Sequence, residues 1–286
     1  MRQLLPDHAR ESRQTLIDIL RREGPLDSIS AAALVLGTET VPDSIAESVL
    51  ALVVDGDTRF GRDSDGLLFY HGEDAQSEIL SRDYVVLDVE TTGSKPPGDR
   101  ITELGAVRIS GGEVVDEFVT LINPECEIPL DVVRVTGITD DMVEYEPTAL
   151  DVIPRFAGWL GNSMVIAHNA WFDRSFMDAA WIEIFGDPTP NTWICSLRFA
   201  RSLYPDFKRH RLTALCDVFG IDPGTHHRAG SDARATAYVF LRAVDDLAAR
   251  GITTMAGLLS HTAPIPYRPD KSRNGIRHLV SGGKSG

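Results

Sequence analysis

Asp88 and Glu90 end an apolar run, Tyr84-Val85-Val86-Leu87-Asp88-Val89-Glu90, that is followed at once by Thr91-Thr92-Gly93. Side chains alternate across a strand, so the two acids share one face at its end. Carboxylates held that close repel each other unless a positive charge lies between them, and a divalent cation with oxygen ligands is the simplest source of one. A second stretch, His168-Asn169-Ala170-Trp171-Phe172-Asp173, follows the short apolar run Val165-Ile166-Ala167. Asn169 is the expected helix N-cap there, which puts Asp173 in the first turn, where the helix dipole favours negative charge. A third stretch, His226-His227-Arg228-Ala229-Gly230-Ser231-Asp232, precedes a long helical pattern, with Ser231 the expected N-cap and Asp232 in the first turn. His227 falls on the loop ahead of that helix, and a neutral imidazole is well suited to take a proton near pH 7.

These residues need a layered frame to bring them together, and the pattern around them supplies one. Residues 84–89, 101–109 and 114–122 have the alternation of strands, with Gly111-Gly112 making a tight hairpin between the second and third. A helix over 152–160, a short strand at 164–167 and a helix from about 172 follow. Next come a short strand at 193–195, helices near 197–203 and 212–219, and a long last helix over about 232–249. A strand meander followed by alternating helices and strands predicts an α/β domain with a mixed sheet over residues 82–250.

Ahead of it, residues 11–80 show three helical patterns and then two short apolar runs around Arg62-Asp63-Ser64-Asp65-Gly66, a hairpin signal. Three helices and a hairpin resemble a winged helix. Between Glu11 and Ser81 there are fourteen Asp/Glu and five Lys/Arg, a balance that DNA phosphates would repel, so this unit is expected to dock a protein. Residues 1–10 are expected to be flexible, 251–262 to form a short helix, and 263–286 to be a disordered tail carrying five Lys/Arg and one acid. Such a tail could tether the chain to nucleic acid.

The formal net charge of −14 argues against a protein that coats nucleic acid through a broad basic surface. It leaves room for an enzyme that grips a short stretch of backbone. The three cysteines, Cys126, Cys195 and Cys216, fit neither a disulfide framework nor a zinc site and are expected to be free thiols. The first thirty residues lack the apolar core of a signal peptide, and no apolar run is long enough to span a bilayer. A soluble, cytoplasmic protein without membrane contact is expected.

Taken in order, D-x-E, then H-N-x-x-F-D, then H-x-x-x-x-D resembles the DEDD-type 3′–5′ exonucleases of the histidine subclass, the superfamily of the proofreading subunit of bacterial replicative polymerase. Asp99-Arg100-Ile101-Thr102-Glu103-Leu104-Gly105-Ala106-Val107 is similar to that family's second strand, and Thr136-Gly137-Ile138-Thr139 resembles its turn after the third. The family often has Asp-Thr where this chain has Cys195-Ser196, and His where it has Thr136. The resemblance implies a ribonuclease H-like domain in which Asp88, Glu90, Asp173 and Asp232 hold two Mg²⁺ or Mn²⁺ ions and His227 is the general base. Two such ions about 4 Å apart would activate water and neutralise the leaving 3′ oxygen. Asp88 would bridge them, Glu90 and Asp232 would complete the first, and Asp173 would reach the second through water. Backbone N–H groups of Thr91 and Thr92, with Glu103 and His168, would hold or orient the terminal nucleotide. Arg174, Arg198, Arg201 and the run Lys208-Arg209-His210-Arg211 are candidates for phosphate contacts.

The expected function is therefore removal of nucleotides from DNA 3′ ends, in proofreading or repair, with a polymerase or repair protein as partner through the N-terminal unit. An RNA-trimming exonuclease and a catalytically inactive adaptor are the alternatives, and recognition of the 2′-hydroxyl would separate DNA from RNA.

Overall fold

The computed structural model describes residues 7–265 apart from Thr58, Ser64, Glu73 and His226. Three helices, α1 (Asp7–Glu23), α2 (Ser28–Leu36) and α3 (Asp43–Val54), precede an antiparallel hairpin of β1 (Phe60–Arg62) and β2 (Leu68–Tyr70). Asp27 caps α2 by accepting from the Ser30 N–H, and left-handed Gly37 ends it. Leu16, Leu20, Ala32, Leu50 and Leu68 close a small core. The hairpin turn is built on Asp63, whose carboxylate accepts from the N–H groups of Asp65 and Leu67.

β2 serves two cores. Leu68 and Tyr70 face the small one, while Phe69, turned the other way by strand alternation, is buried in the large core with Tyr84 and Phe240. The hairpin is thus part of the main fold's packing. Ile79 N–H donates to the Thr253 carbonyl at 2.8 Å, and Arg198 reaches the Asp63 carboxylate at 3.0 Å.

The large sheet begins with β3 (Tyr84–Thr91), β4 (Ile101–Ser110) and β5 (Glu113–Leu121), an antiparallel meander. Helices α4 (Leu130–Thr136), α5 (Asp140–Val143) and α6 (Ala149–Leu160) lead to β6 (Met164–Ala167). Then come α7 (Trp171–Phe185), β7 (Trp193–Cys195), α8 (Ser196–Leu203), α9 (Leu212–Phe219), α10 (Ala229–Ala249) and α11 (Met255–His261). The strand order is β5-β4-β3-β6-β7, with β3, β6 and β7 parallel. This is the mixed α/β sheet that the sequence predicts.

Alternation along β3 sorts the two faces. Tyr84 and Val86 pack with Phe199, Leu215, Phe240 and Leu258 from α8, α9, α10 and α11. Val85, Leu87 and Val89 pack with Phe156 of α6 and with Phe176 and Met177 of α7. By the same parity Asp88 and Glu90 lie on the α10 face.

The C-terminal segment departs from expectation at its start. Ala263 and Ile265 are buried, Ile265 N–H donates to the Trp193 carbonyl at 2.8 Å, and its own carbonyl accepts from Arg174. Apolar burial and a strand-like bridge therefore order 263–265. Residues 266–286, with the basic charges of the tail, lie outside the described residues, as do residues 1–6. Among the described residues no helix is long and apolar enough to cross a membrane, and the three cysteines are free thiols.

Candidate active site

Three elements from distant parts of the chain meet at the end of the central strand β3. β3 brings Asp88 and Glu90, and a register shift between Glu90 and Thr91 loosens its pairing with β4 just beyond them. Across β4, Gly105 stands opposite Asp88. A Cβ at Gly105 would lie 2.1 Å from the Ala229 backbone and 2.2 Å from Gly230 N, so only glycine lets the first turn of α10 rest on the sheet there. At Gly230 a Cβ would come 2.8 Å from the side chain of Val119 on β5. This seating brings Asp232 over β3. Glu90, His227 and Asp232 offer ligand atoms that all lie within 4.8 Å of one another.

Asp173 arrives from the other face. It is buried on α7, and its Oδ1 accepts from the Val89 N–H at 3.2 Å, between Asp88 and Glu90. Asn169 does not cap this helix. Its backbone is left-handed at φ 68°, and α7 begins after Ala170 without a side-chain cap. Asn tolerates that conformation, which makes the turn tight enough to aim Asp173 inward at β3.

The N-cap expectation for Ser231 is also corrected. α10 starts three residues earlier, at Ala229, with no side-chain cap from Arg228. Glu103 supplies what the cap would have: its carboxylate accepts from the Ala229 N–H at 2.9 Å and from the Arg228 guanidinium at 2.7 Å. Glu103 is 1% exposed and pairs in register with Glu90. Both of its oxygens accept at the start of α10. Thr92 is likewise committed, since its N–H donates to the Arg100 carbonyl at 2.8 Å and its hydroxyl accepts from the Arg100 N–H. Thr91 Oγ1 donates to the Gly93 carbonyl.

Burial, and then the neighbouring acids Asp173, Glu90, Asp232 and Glu103, push Asp88 well above the usual carboxylate range. Burial raises Asp173 as well, against the N–H groups that stabilise its charge. Burial and the charges of Asp232 and Glu103 push Glu90 up to about 7, with Arg228 opposing. Acids raised this way bind more protons folded than unfolded between their ordinary values near 4 and the raised ones. Their contribution to stability is present on the acid side and lost as pH rises through about 7. The melting temperature of protein in EDTA should fall between about pH 5.5 and pH 8, and Mg²⁺ should raise it more at the higher pH. Equal stabilisation by Mg²⁺ at both would show that the cluster is not where the cation acts.

His168 follows β6, level with the acidic end of β3. Its Nδ1 hydrogen-bonds Ser196 Oγ at 2.9 Å, and Ser196 in turn donates to the Ala167 carbonyl. Burial drives its pKa down to about 4, so the ring is neutral at pH 7. Nε2 is buried with no hydrogen-bond partner among the described residues. Ser196 and Arg228 are site residues that sequence reasoning passed over. Ser196 does keep a hydroxyl where the family often has Thr, which was the one available signal.

Glu103→Ala should leave the Ala229 N–H and Arg228 without their acceptor and cost about 2 kcal/mol, a figure held down because the Arg228 side chain is 39% exposed. Urea unfolding measures it. A change under about 0.5 kcal/mol would mean that α10 is seated by Gly105 and Gly230 alone.

The chain belongs to the exonuclease family: the RNase T exonuclease family model matches residues 85–240, more than half of its length. Residues 85–240 are therefore an exonuclease domain, and the fold is ribonuclease H-like. DNA polymerase III PolC-type of Bacillus subtilis is 44% identical over 170 residues, covering 59% of this chain and 12% of that protein. The same enzyme of Thermotoga petrophila is 41% identical over 213 residues, covering 71% of this chain and 15% of its own length. The chain thus spans only a small part of the curated relatives it matches. Among solved structures, E. coli exonuclease I in complex with a dT13 oligonucleotide superposes with a TM-score of 0.53 at 20% identity, over 59% of this chain and 42% of that one. A 3′-exonuclease recognising a histone mRNA stem-loop gives 0.52 at 18% identity, over 61% and 84%. These two show the shared fold, which is common to an enzyme on DNA and one on RNA.

Proposed function

We propose that this chain is a 3′–5′ exonuclease that removes nucleotides from DNA ends, in proofreading or repair. The reading is supported by the meeting of β3, α7 and α10, which bring four acids and His227 near one another at the end of the central strand β3. The donor set is carboxylate oxygen with one imidazole, and its acids are raised by mutual repulsion that cations would relieve, so it fits hard divalent ions. Asp88, Glu90, Asp173 and Asp232 would hold Mg²⁺ or Mn²⁺ there. When bound, such ions supply charge stabilisation to the attacking water and the leaving oxygen.

The protein's own groups do the rest. His227 sits on a left-handed residue at φ 57°, and its N–H donates to Asp232 Oδ2 at 3.1 Å, so the acid fixes the loop that carries the imidazole. The exposed ring accepts a proton from water entering over Asp232. His168, neutral and locked by Ser196, offers its unpartnered Nε2 to the terminal nucleotide. Thr91 would contribute its backbone N–H beside it. Glu103 acts behind this surface, through α10.

DNA is favoured over RNA because the relatives at 36 to 44% identity are polymerase III enzymes. The acidic N-terminal unit, with Asp43 and Glu47 on α3, suits a protein partner, and a polymerase is the natural one. A cytoplasmic location goes with that reading. The deciding experiment is digestion of matched 5′-labelled DNA and RNA oligomers with Mg²⁺ or EDTA. Stepwise shortening of DNA from the 3′ end, abolished by EDTA, is expected. Faster loss of the RNA would move the proposal to RNA trimming, and no shortening of either would leave an inactive adaptor.

A further inference from the structure

The five arginines and one lysine that the sequence marks for phosphate binding separate into two kinds once folded. Arg174 is buried, paired with Asp178 at 3.0 Å and bonded to the Ile265 carbonyl. Arg198 is paired with Asp63 of the hairpin. Both hold the fold together. Arg201, Lys208, Arg209 and Arg211 are exposed, and none has a carboxylate within ion-pair range among the described residues.

Their placement connects them to the site. Ser196 begins α8 with its hydroxyl on His168, and Arg201 lies on the same helix, close enough that its charge helps depress the His168 pKa. The loop after α8 returns to the same place, since His210 also acts on His168. That loop is stiff. Tyr204 and Phe207 stack at 4.9 Å with planes 9° apart, Phe207 stacks on His210 at 6.2 Å, and His210 Nε2 bonds the Tyr204 carbonyl at 2.9 Å. The rings fix the backbone that carries Lys208, Arg209 and Arg211. From Ser196 to Arg211 there are five Lys/Arg and one acid, Asp206, in a chain of net charge −14. Exposed cations kept together against that background have a ligand of opposite charge to meet.

We propose that Arg201, Lys208, Arg209 and Arg211 form a track for the backbone phosphates of single-stranded nucleic acid, on the 5′ side of the nucleotide being removed. The track rests on the exonuclease reading for its purpose. The stacked loop makes it preorganised, so little ordering entropy is lost when a strand is laid along it. Interactions of this kind read charge and not sequence, and they release counterions.

The test is the quadruple variant R201Q/K208Q/R209Q/R211Q, with K208Q/R209Q as a milder variant should the first fail to fold. Two substrates are compared at low salt: a labelled single strand of about 20 nucleotides and the p-nitrophenyl ester of thymidine 5′-monophosphate, which has no upstream phosphates. The KM for the strand should rise about tenfold or more, and that effect should exceed any change on the ester by a similar factor. The slope of log KM against log salt should flatten by roughly 0.7 for each phosphate that no longer meets a cation. Anisotropy of the labelled strand in EDTA measures the same weakening without turnover. Unchanged anisotropy and an unchanged salt slope in the variants would overturn the track. Failure of the wild-type protein to cleave the strand would overturn the exonuclease reading instead, while the anisotropy still decides the track.

Discussion

Asp88→Ala should reduce nucleotide release to about a thousandth of the wild-type rate or less, with the fold intact. Glu90, Asp173 and Asp232 each act on the charge of Asp88, so it would be a central ligand for any cation the cluster holds. Loss of that ligand would forfeit several kcal/mol of charge stabilisation, and about 4 kcal/mol corresponds to about 10³ in rate. The stability effect has the opposite sign. Removing one acid from a crowded cluster relieves repulsion, so the melting temperature in EDTA should hold or rise, and the gain from adding Mg²⁺ should shrink. Single-turnover digestion of a labelled DNA strand and thermal unfolding with and without Mg²⁺ measure both. Turnover within about tenfold of wild type would take Asp88 out of the reaction.

His227→Ala should slow cleavage by about 10² to 10⁴, the range for loss of a general base, with strand affinity little changed. The bond from His227 N–H to Asp232 Oδ2 is made by the backbone and survives the substitution, so the loop keeps its anchor. The left-handed backbone is already adopted by a residue with a Cβ, and alanine adds no new strain. The readout is therefore chemical, and imidazole in the buffer should restore part of the missing rate. His226, outside the described residues, is the control. A larger loss from His226→Ala than from His227→Ala would pass the role to it, and a loss under about tenfold from both would exclude a histidine base.

Much of this was set within short stretches of sequence. The period of two along β3 put Asp88 and Glu90 on one face, and the same rule sorted Tyr84 and Val86 from Val85 and Leu87 between two cores. The alternation of strand and helix patterns fixed the α/β class, and the three acidic stretches hold the residues that folding brings together at the end of β3. These are properties of neighbours in the chain, so a linear reading reaches them. The partners of each group are not. Asn169 and Ser231 have the chemistry of helix caps, yet α7 starts from a left-handed turn and α10 has its first N–H met by Glu103, 126 residues away. An unsatisfied N–H accepts whatever oxygen the topology brings, and a local cap is only one source. Arg174, Arg198 and Arg201 are the same residue type on two successive helices, and only tertiary packing made two of them struts and left one exposed. Phe69 sat in a hairpin that read as part of a separate unit, but its ring fills the main core. Whether a charge is paired or exposed, and which core a side chain fills, depends on groups within a few ångströms in space, and folding alone decides which those are.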